Sequence, residues 1–220
     1  MPDAVLFDLD ETLLDRTASL RAFLRDQFHR FGPELGAVSL EAWETRFLER
    51  DARGSVHKSK VYPALLRDFG GNPGAADRLL ADYAVNCWRH ARSFGGMAEL
   101  LGALRAQGKK LAVVTNGETA FQRRHIEALA LDRLVDEVLI SEEEGLRKPD
   151  PGLFHRAAAR LGVRSSRCLF VGDNPSADVL GASASGMKTL WFQCGRDWPR
   201  ELPDNPGPSI TKLSDVLAFV

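Results

Sequence analysis

The sequence has few cysteines and no long apolar segment. Its three cysteines, Cys87, Cys168 and Cys194, lie far apart without a C-x-x-C pair, so neither a disulfide framework nor a structural zinc site is predicted. Apolar runs such as residues 111–114 fall far short of the about 20 residues that a membrane-spanning helix needs. No basic segment followed by an apolar run opens the chain. We therefore expect a cytoplasmic protein that does not enter a membrane.

An excess of charge of either sign is also missing. The 29 lysines and arginines nearly balance the 30 aspartates and glutamates, which gives a formal net charge of −1. Proteins that bind nucleic acid polymers or anionic membrane surfaces usually carry a strong positive field, so neither partner is expected. With 44% hydrophobic and 27% charged residues, the composition is that of an ordinary folded protein.

Short apolar runs of strand length recur along the chain and are separated by segments of helical periodicity. The periodicity predicts helices over residues 97–104, 121–131 and 153–161, the last with Asp150 as N-cap. Alternating strands and helices indicate an α/β fold, a doubly wound parallel sheet covered on both faces. The predicted strands span residues 4–7, 111–114, 137–140, 168–171 and 188–192, with a weaker sixth at 209–211.

One interval breaks this alternation. A strand–helix–strand unit takes about 30 residues, but the chain from Asp8 to Leu111 is far longer. Residues 16–92 read as four amphipathic helices, which can close a small core of their own. We therefore predict two domains, an α/β core of residues 1–15 and 93–220 and an inserted helical domain of residues 16–92.

Polar residues that could bind a ligand or take part in a reaction follow four of the predicted strands. Ligands of open α/β sheets bind outside the carboxyl ends of the strands, where such residues would meet. Asp8 and Asp10 alternate along an extended segment and so point the same way. Two close carboxylates repel unless they share a proton or bind a hard divalent cation. The later candidates along the chain are Thr115, Asn116, Gly117, Lys148, Asp173 and Asp178.

Four segments together resemble a known family. VLFDLDETLL, VVTNGE, LRKPDPGLF and FVGDNPSAD are similar, in order, to the four motifs of the haloacid dehalogenase-like (HAD) hydrolases. The resemblance implies a Rossmann-like core with a helical cap inserted after the first motif, where residues 16–92 fall. Within the family the chain most resembles a subgroup that has Thr-Asn-Gly in the second motif and a four-helix cap. That subgroup contains phosphatases for nucleoside monophosphates and sugar phosphates.

The resemblance also implies roles for individual residues. In a phosphatase of this family Asp8 would be the nucleophile that forms an aspartyl-phosphate, and Asp10 the general acid and base. Mg²⁺ would be held by the Asp8 carboxylate, the backbone carbonyl of Asp10, and Asp173. The expected partner is therefore a small phosphorylated metabolite.

The remaining motif residues would handle the phosphate and orient the metal site. Thr115, through its hydroxyl, and Asn116, through its backbone N–H, would bind phosphate oxygens, and Lys148 would neutralise developing charge. Asn174 and Asp178 would orient the metal site and Lys148. Asn174 stands where Ser is frequent in the family, and Glu11 similarly stands where Gly is common.

Alternatives share much of this pattern. Halide-removing members of the family lack an acid at position 10, so Asp10 favours a phosphatase. A phosphomutase or a catalytically silent binding protein would keep every core residue. In the predicted cap, the polar bend of residues 53–60 could contact substrate through Arg53, Lys58 or Lys60, or be a solvated loop.

Overall fold

The computed structural model describes residues 1–220, and the chain divides into two compact units. The α/β unit comprises Met1–Asp15 and Arg92–Val220, and the helical unit comprises Arg16–Ala91. No helix has both the length and the apolar character that crossing a bilayer requires.

The α/β unit is built on one six-stranded sheet in the order β3-β2-β1-β4-β5-β6, and every neighbouring pair is parallel. This arrangement confirms the predicted α/β fold class. Strands β2 and β4 are slightly longer than predicted and β6 is shorter. The strands are β1 (Ala4–Phe7), β2 (Lys110–Thr115), β3 (Glu137–Ile140), β4 (Cys168–Gly172), β5 (Lys188–Phe192) and β6 (Ser209–Ile210).

The central strand β1 is buried along its whole length. Its last residue, Phe7, is level with Val113 of β2 on one side and Val171 of β4 on the other. Continuous apolar runs of this kind are typical of parallel strands covered on both faces. The register brings the carboxyl ends of β1, β2 and β4 to one edge of the sheet, and the segments that follow these strands meet there.

Helices α5 to α10 belong to the α/β unit. The predicted cap of α9 is confirmed, because the Asp150 carboxylate accepts a hydrogen bond from the Gly152 N–H at 2.7 Å. The single helix predicted over residues 121–131 is wrong. It is two helices, because Ala130 takes a left-handed backbone (φ 53°) that interrupts the hydrogen-bond ladder. The helices are α5 (Met97–Ala106), α6 (Thr119–Ala128), α7 (Leu131–Leu134), α8 (Ser141–Glu144), α9 (Pro151–Arg160) and α10 (Gly181–Ala184), the last preceded by a π-helical segment, Pro175–Leu180.

Four helices form the helical unit, and its core is aromatic. Phe23, Trp43, Phe47 and Tyr62 are fully buried, and the Phe47 and Tyr62 rings pack edge to face with centroids 5.4 Å apart. These side chains recur at helical spacing because each helix turns one apolar stripe inward. The helices are α1 (Arg16–Phe31), α2 (Leu40–Asp51), α3 (Lys58–Phe69) and α4 (Ala76–Asn86).

The bend between α2 and α3 is organised around the buried carboxylate of Asp51. It pairs with Arg16 at 2.9 Å, with the ammonium of Lys58, and accepts a hydrogen bond from the Gly54 N–H at 2.8 Å. Lys58 is therefore neither a solvated nor a free cation, because its charge is used inside the helical unit. Arg53 is exposed and has a left-handed backbone (φ 55°).

Where the chain leaves and re-enters the α/β unit, the two segments are hydrogen-bonded to each other. The Asp15 N–H donates to the Arg92 carbonyl at 2.8 Å, and the Phe94 N–H donates to the Leu13 carbonyl at 3.0 Å. Leu14 and Ser93 form an antiparallel bridge between these two bonds. The segment that precedes the insertion and the segment that follows it are thus paired with each other through their backbones.

Candidate active site

The candidate site is built on the residues that directly follow β1, β2 and β4. Asp8 extends the sheet ladder by one residue, since its N–H donates to the Val171 carbonyl at 2.9 Å. Thr115 ends β2 and Asp173 follows β4. All three side chains are buried at this edge. The sheet register therefore determines where the backbones of these three residues lie, independently of the contacts of their side chains.

Lys148 connects the acidic residues of the site. Its Nζ lies 2.6 Å from Asp8 Oδ1 and 2.7 Å from Asp178 Oδ1, and it donates to the Val114 carbonyl at 2.8 Å. The ammonium thus donates hydrogen bonds to Asp8 and to the Val114 carbonyl and forms an ion pair with Asp178. Burial opposes the charged form, but the carboxylates of Asp178 and Asp8 raise the pKa of Lys148 above its ordinary value. The lysine is therefore a fixed cation in contact with both carboxylates.

The Asp8 carboxyl is buried beside two other carboxyl groups. Burial, with the charges of Asp178 and Asp10, raises its pKa to about 7, although the Lys148 ammonium acts in the opposite direction. An additional cation beside Asp8 would favour its ionised form.

Three buried carboxylates converge at this point. One oxygen from each of Asp8, Asp173 and Asp178 lies within 4.8 Å of the other two. Hard oxygen donors at such spacing fit Mg²⁺, which binds one or two carboxylates and keeps several waters. Arg196 also contacts the Asp173 carboxylate through Nη2. A divalent cation at Asp173 must therefore share the carboxylate with that guanidinium or displace it.

Asp173 and Asp178 are positioned by their own backbone surroundings. Asp178 Oδ2 accepts from the Asn174 N–H at 2.9 Å, and the Trp191 indole donates to the Asp173 carbonyl at 2.9 Å. A Cβ at Gly172 would lie 2.5 Å from the Asp178 side chain. This explains in physical terms why Gly precedes the acidic turn. Asn174 caps the π-helical segment, accepting from the Ser176 and Ala177 N–H groups.

The Thr-Asn-Gly turn is anchored to two other loops. The Asn116 side chain donates to the Lys148 carbonyl and accepts from the Lys148 N–H, both at 2.9 Å. The Gly117 N–H donates to Ser141 Oγ at 3.0 Å. The turn is thus held rigidly against the segment that carries the lysine.

Asp10 lies at the same edge and is partly exposed. Gln122 of α6 contacts it, with Nε2 2.7 Å from Asp10 Oδ2. The structure thus brings together Asp8, Thr115, Asn116, Lys148, Asp173 and Asp178, with Asp10 joined to them through Gln122.

Sequence reasoning missed Gln122 and Arg196. Neither belongs to a motif that names it, and Gln122 is separated from Asp10 by 112 positions in the chain. The sequence offers one signal for Gln122, which is its position close behind the Thr-Asn-Gly turn. A helix that starts there has Gln122 in its first turns, near the site.

The chain is similar to known proteins over most of its length. The haloacid dehalogenase-like hydrolase family matches residues 2–186. The chain is 29% identical over 224 residues to the glyceraldehyde 3-phosphate phosphatase of Pyrococcus abyssi, covering 100% of this chain and 94% of that protein. It is 31% identical over 243 residues to the phosphoserine phosphatase of Thermus thermophilus, covering 97% of each.

Among solved structures, the chain is similar to the candidate HAD hydrolase YfnB of Bacillus subtilis, which was solved bound to magnesium. The TM-score is 0.77 and the identity 23%, covering 99% of this chain and 98% of that one. At this identity the likeness concerns the fold alone.

Proposed function

The chain belongs to the haloacid dehalogenase-like hydrolases and is a phosphoric monoester hydrolase, and on that premise we propose that it hydrolyses a small phosphomonoester through an aspartyl-phosphate on Asp8, with Mg²⁺ as cofactor. The observation that carries the proposal is the buried contact of Asp8 with Lys148 beside two further carboxylates. A nucleophile, a fixed cation and a candidate metal site coincide there.

The proposed reaction has two displacements at phosphorus. In the first, an Asp8 carboxylate oxygen forms a bond to phosphorus while the ester P–O bond breaks, and Asp10 gives its proton to the departing alcohol oxygen. In the second, Asp10 takes a proton from water, whose oxygen attacks phosphorus. The bond to Asp8 breaks, and inorganic phosphate leaves with both carboxyls restored to their starting forms.

Asp8, the backbone carbonyl of Asp10, and Asp173 would hold Mg²⁺ at the cluster of buried carboxylates. When bound, the ion would supply positive charge that reduces the repulsion between an anionic nucleophile and an anionic phosphate. Asp178, through its ion pair with Lys148, keeps that lysine beside Asp8.

The phosphate oxygens would be bound by the Thr115 hydroxyl and the Asn116 N–H, with Lys148 stabilising the charge of the transition state. The Thr115 and Lys148 side chains are almost completely buried. Preorganised groups in a site shielded from water stabilise charge more strongly than the same groups in solution.

The proposed substrate class is a nucleoside monophosphate, a sugar phosphate or another compact phosphorylated metabolite. The named relatives support this size range, since they are phosphatases of glyceraldehyde 3-phosphate and phosphoserine. Asp10 favours a phosphatase over a dehalogenase, because halide leaves without protonation and needs no general acid. A phosphomutase would return the phosphoryl group to a bound intermediate, and a silent binding protein would not turn over.

Phosphate release tests the proposal. The wild-type protein should release inorganic phosphate from p-nitrophenyl phosphate in Mg²⁺ and lose that activity in excess chelator, and Asp8→Asn should abolish it with an unchanged circular dichroism spectrum. Turnover by Asp8→Asn at the wild-type rate would contradict the nucleophile assignment. A screen of nucleoside monophosphates, sugar phosphates and phosphoglycolate then ranks substrates by kcat/KM, and transfer to a bound phosphorylated intermediate without phosphate release would indicate a mutase.

A further inference from the structure

Gln122 stands apart as a buried polar side chain whose contacts all lead to the candidate site. It lies in α6 and is 2% exposed. Its Nε2 is 2.7 Å from Asp10 Oδ2, 2.8 Å from Thr115 Oγ1 and 3.3 Å from the Asn116 carbonyl. One amide nitrogen therefore reaches three successive parts of the site.

The orientation of this amide follows from its partners. The Asn116 carbonyl can only accept a hydrogen bond, so the amide nitrogen and not the amide oxygen must face it. The consequence is that Gln122 Oε1 is buried with no hydrogen-bonding protein group. Burying an acceptor without a partner destabilises the folded state, whereas an apolar side chain such as methionine would fill the space and leave no polar atom unpaired.

The neighbouring backbone is also adapted to this side chain. A Cβ at Gly117 would lie 2.7 Å from Gln122 Cγ, closer than carbon atoms pack. The glycine of the Thr-Asn-Gly turn therefore leaves the path open along which Gln122 enters the site. The unpaired Gln122 oxygen and the glycine at position 117 are not needed for core packing. Both are explained by the position of the Gln122 amide in the site.

We infer that Gln122 is a positioning residue for the reaction, which holds the Asp10 carboxyl and the Thr115 hydroxyl in register. The inference rests on the proposed function. By donating to Asp10 Oδ2, the amide fixes the carboxyl against the sheet edge. By donating to Thr115 Oγ1, it engages that oxygen as acceptor, so the single hydroxyl hydrogen is directed elsewhere, toward a phosphate oxygen.

The inference makes a specific kinetic prediction. A general acid matters most when the leaving oxygen is a strong base, so a misplaced Asp10 should slow poor leaving groups more than good ones. Phenyl phosphate and p-nitrophenyl phosphate have nearly the same shape but differ in the basicity of the departing oxygen. Loss of Thr115 orientation alone, or a general loss of structure, would slow both equally.

The experiment compares kcat/KM for the two aryl phosphates, since this constant reports the phosphorylation step. Gln122→Met keeps the volume and removes the donor. We expect it to lower the value by about threefold for p-nitrophenyl phosphate and about thirtyfold for phenyl phosphate. Glu127→Met, an exposed change on the same helix, should leave both values as in the wild type. If Gln122→Met does not fold, Gln122→Asn keeps an amide that is too short to reach Asp10.

A double-mutant cycle completes the test. In an Asp10→Ala background, Gln122→Met should no longer change the ratio between the two substrates, because its partner is gone. The inference would be overturned if Gln122→Met lowered kcat/KM equally for both substrates in the protein that keeps Asp10. It would also be overturned if Gln122→Met changed the ratio of the two values as much in the Asp10→Ala background as in the wild type. Either result would leave the phosphatase assignment intact. A wild-type protein that hydrolyses neither ester would instead overturn the proposed function, and this inference with it.

Discussion

Asn116 and Lys148 are joined through a two-way hydrogen bond between a side chain and a backbone. The Asn116 amide donates to the Lys148 carbonyl and accepts from the Lys148 N–H, each at 2.9 Å. The resemblance implies that Asn116 binds phosphate through its backbone N–H. Its side chain makes a different contact, with the Lys148 backbone. It fixes the loop that carries the lysine to the turn after β2, which places the ammonium beside Asp8.

Removing that link should lower activity without unfolding the protein. Asn116→Ala leaves the Lys148 backbone unpaired, and displacement of a reacting group by about 1 Å can cost about a hundredfold in rate. We expect kcat/KM for p-nitrophenyl phosphate to fall by tenfold to a hundredfold on this basis. Asn116→Asp keeps the acceptor and loses the donor, so it should be intermediate. Wild-type kinetics in Asn116→Ala would show that the link has no catalytic consequence.

Arg196 should oppose metal binding. Its guanidinium contacts the Asp173 carboxylate, and a partly exposed pair of this kind is worth about 1 kcal/mol. Arg196→Met should therefore lower the Mg²⁺ concentration needed for half-maximal activity by about fivefold, whereas Asp173→Ala should raise it steeply. Arg200→Met, an exposed change in the same segment, is the matched control. An unchanged Mg²⁺ titration in Arg196→Met would argue against competition between the two cations.

Asp51 should be a main source of stability in the helical unit. Its removal in Asp51→Asn leaves the buried Lys58 and the nearby Arg16 without their shared anion, and such a loss typically costs about 3 kcal/mol. Urea unfolding at pH 7 measures this as a lower midpoint with an unchanged slope. Adding Lys58→Met to Asp51→Asn should recover part of the loss, because the uncompensated ammonium is then gone. A double variant no more stable than the single one would contradict the pairing.

The same variant has a predictable pH dependence. Although burial favours the neutral acid, Arg16 and Lys58 lower the pKa of Asp51 from its ordinary value of 3.8. A carboxyl with a depressed pKa in the folded state stabilises the protein above its unfolded pKa, and this stabilisation is lost as the pH falls through the folded value. The difference in unfolding free energy between wild type and Asp51→Asn should be constant from pH 7 to about pH 5 and shrink below about pH 4. A difference that does not change with pH would show that the charge of Asp51 is not responsible.

Selection of substrate by the bend is tested best at Lys60. Lys58 is committed to Asp51, but Lys60 and Arg53 are exposed. If Lys60 contacts the substrate, Lys60→Ala should reduce kcat/KM for the preferred metabolite phosphate about tenfold and for p-nitrophenyl phosphate hardly at all, since remote contacts contribute only for substrates that reach them. Lys148→Ala should reduce both. Equal effects of Lys60→Ala on the two substrates would assign the bend a structural role.

Much of this architecture follows from local sequence patterns. Buried runs of strand length, the Asp150 cap and the overlong interval after β1 depend on residues close together in the chain, so periodicity and turn chemistry identify them. The motif residues at the strand ends could be assigned to one sheet edge for a related reason. Parallel strands end on the same side, and the order of Asp8, Thr115 and Asp173 after successive strands is therefore enough to predict that they meet.

Tertiary structure alone decided which side chains pair there. Lys148 reaches Asp8 across 140 positions and Gln122 reaches Asp10 across 112, and no local periodicity encodes contacts of that range. Lys58 illustrates the same point, since an isolated basic bend looks solvated until the fold sets the Asp51 carboxylate against it. The sequence determines where backbones must go, because burial of apolar runs dominates the folding free energy. The partner of each polar group depends on ångström distances that exist only once those runs are packed.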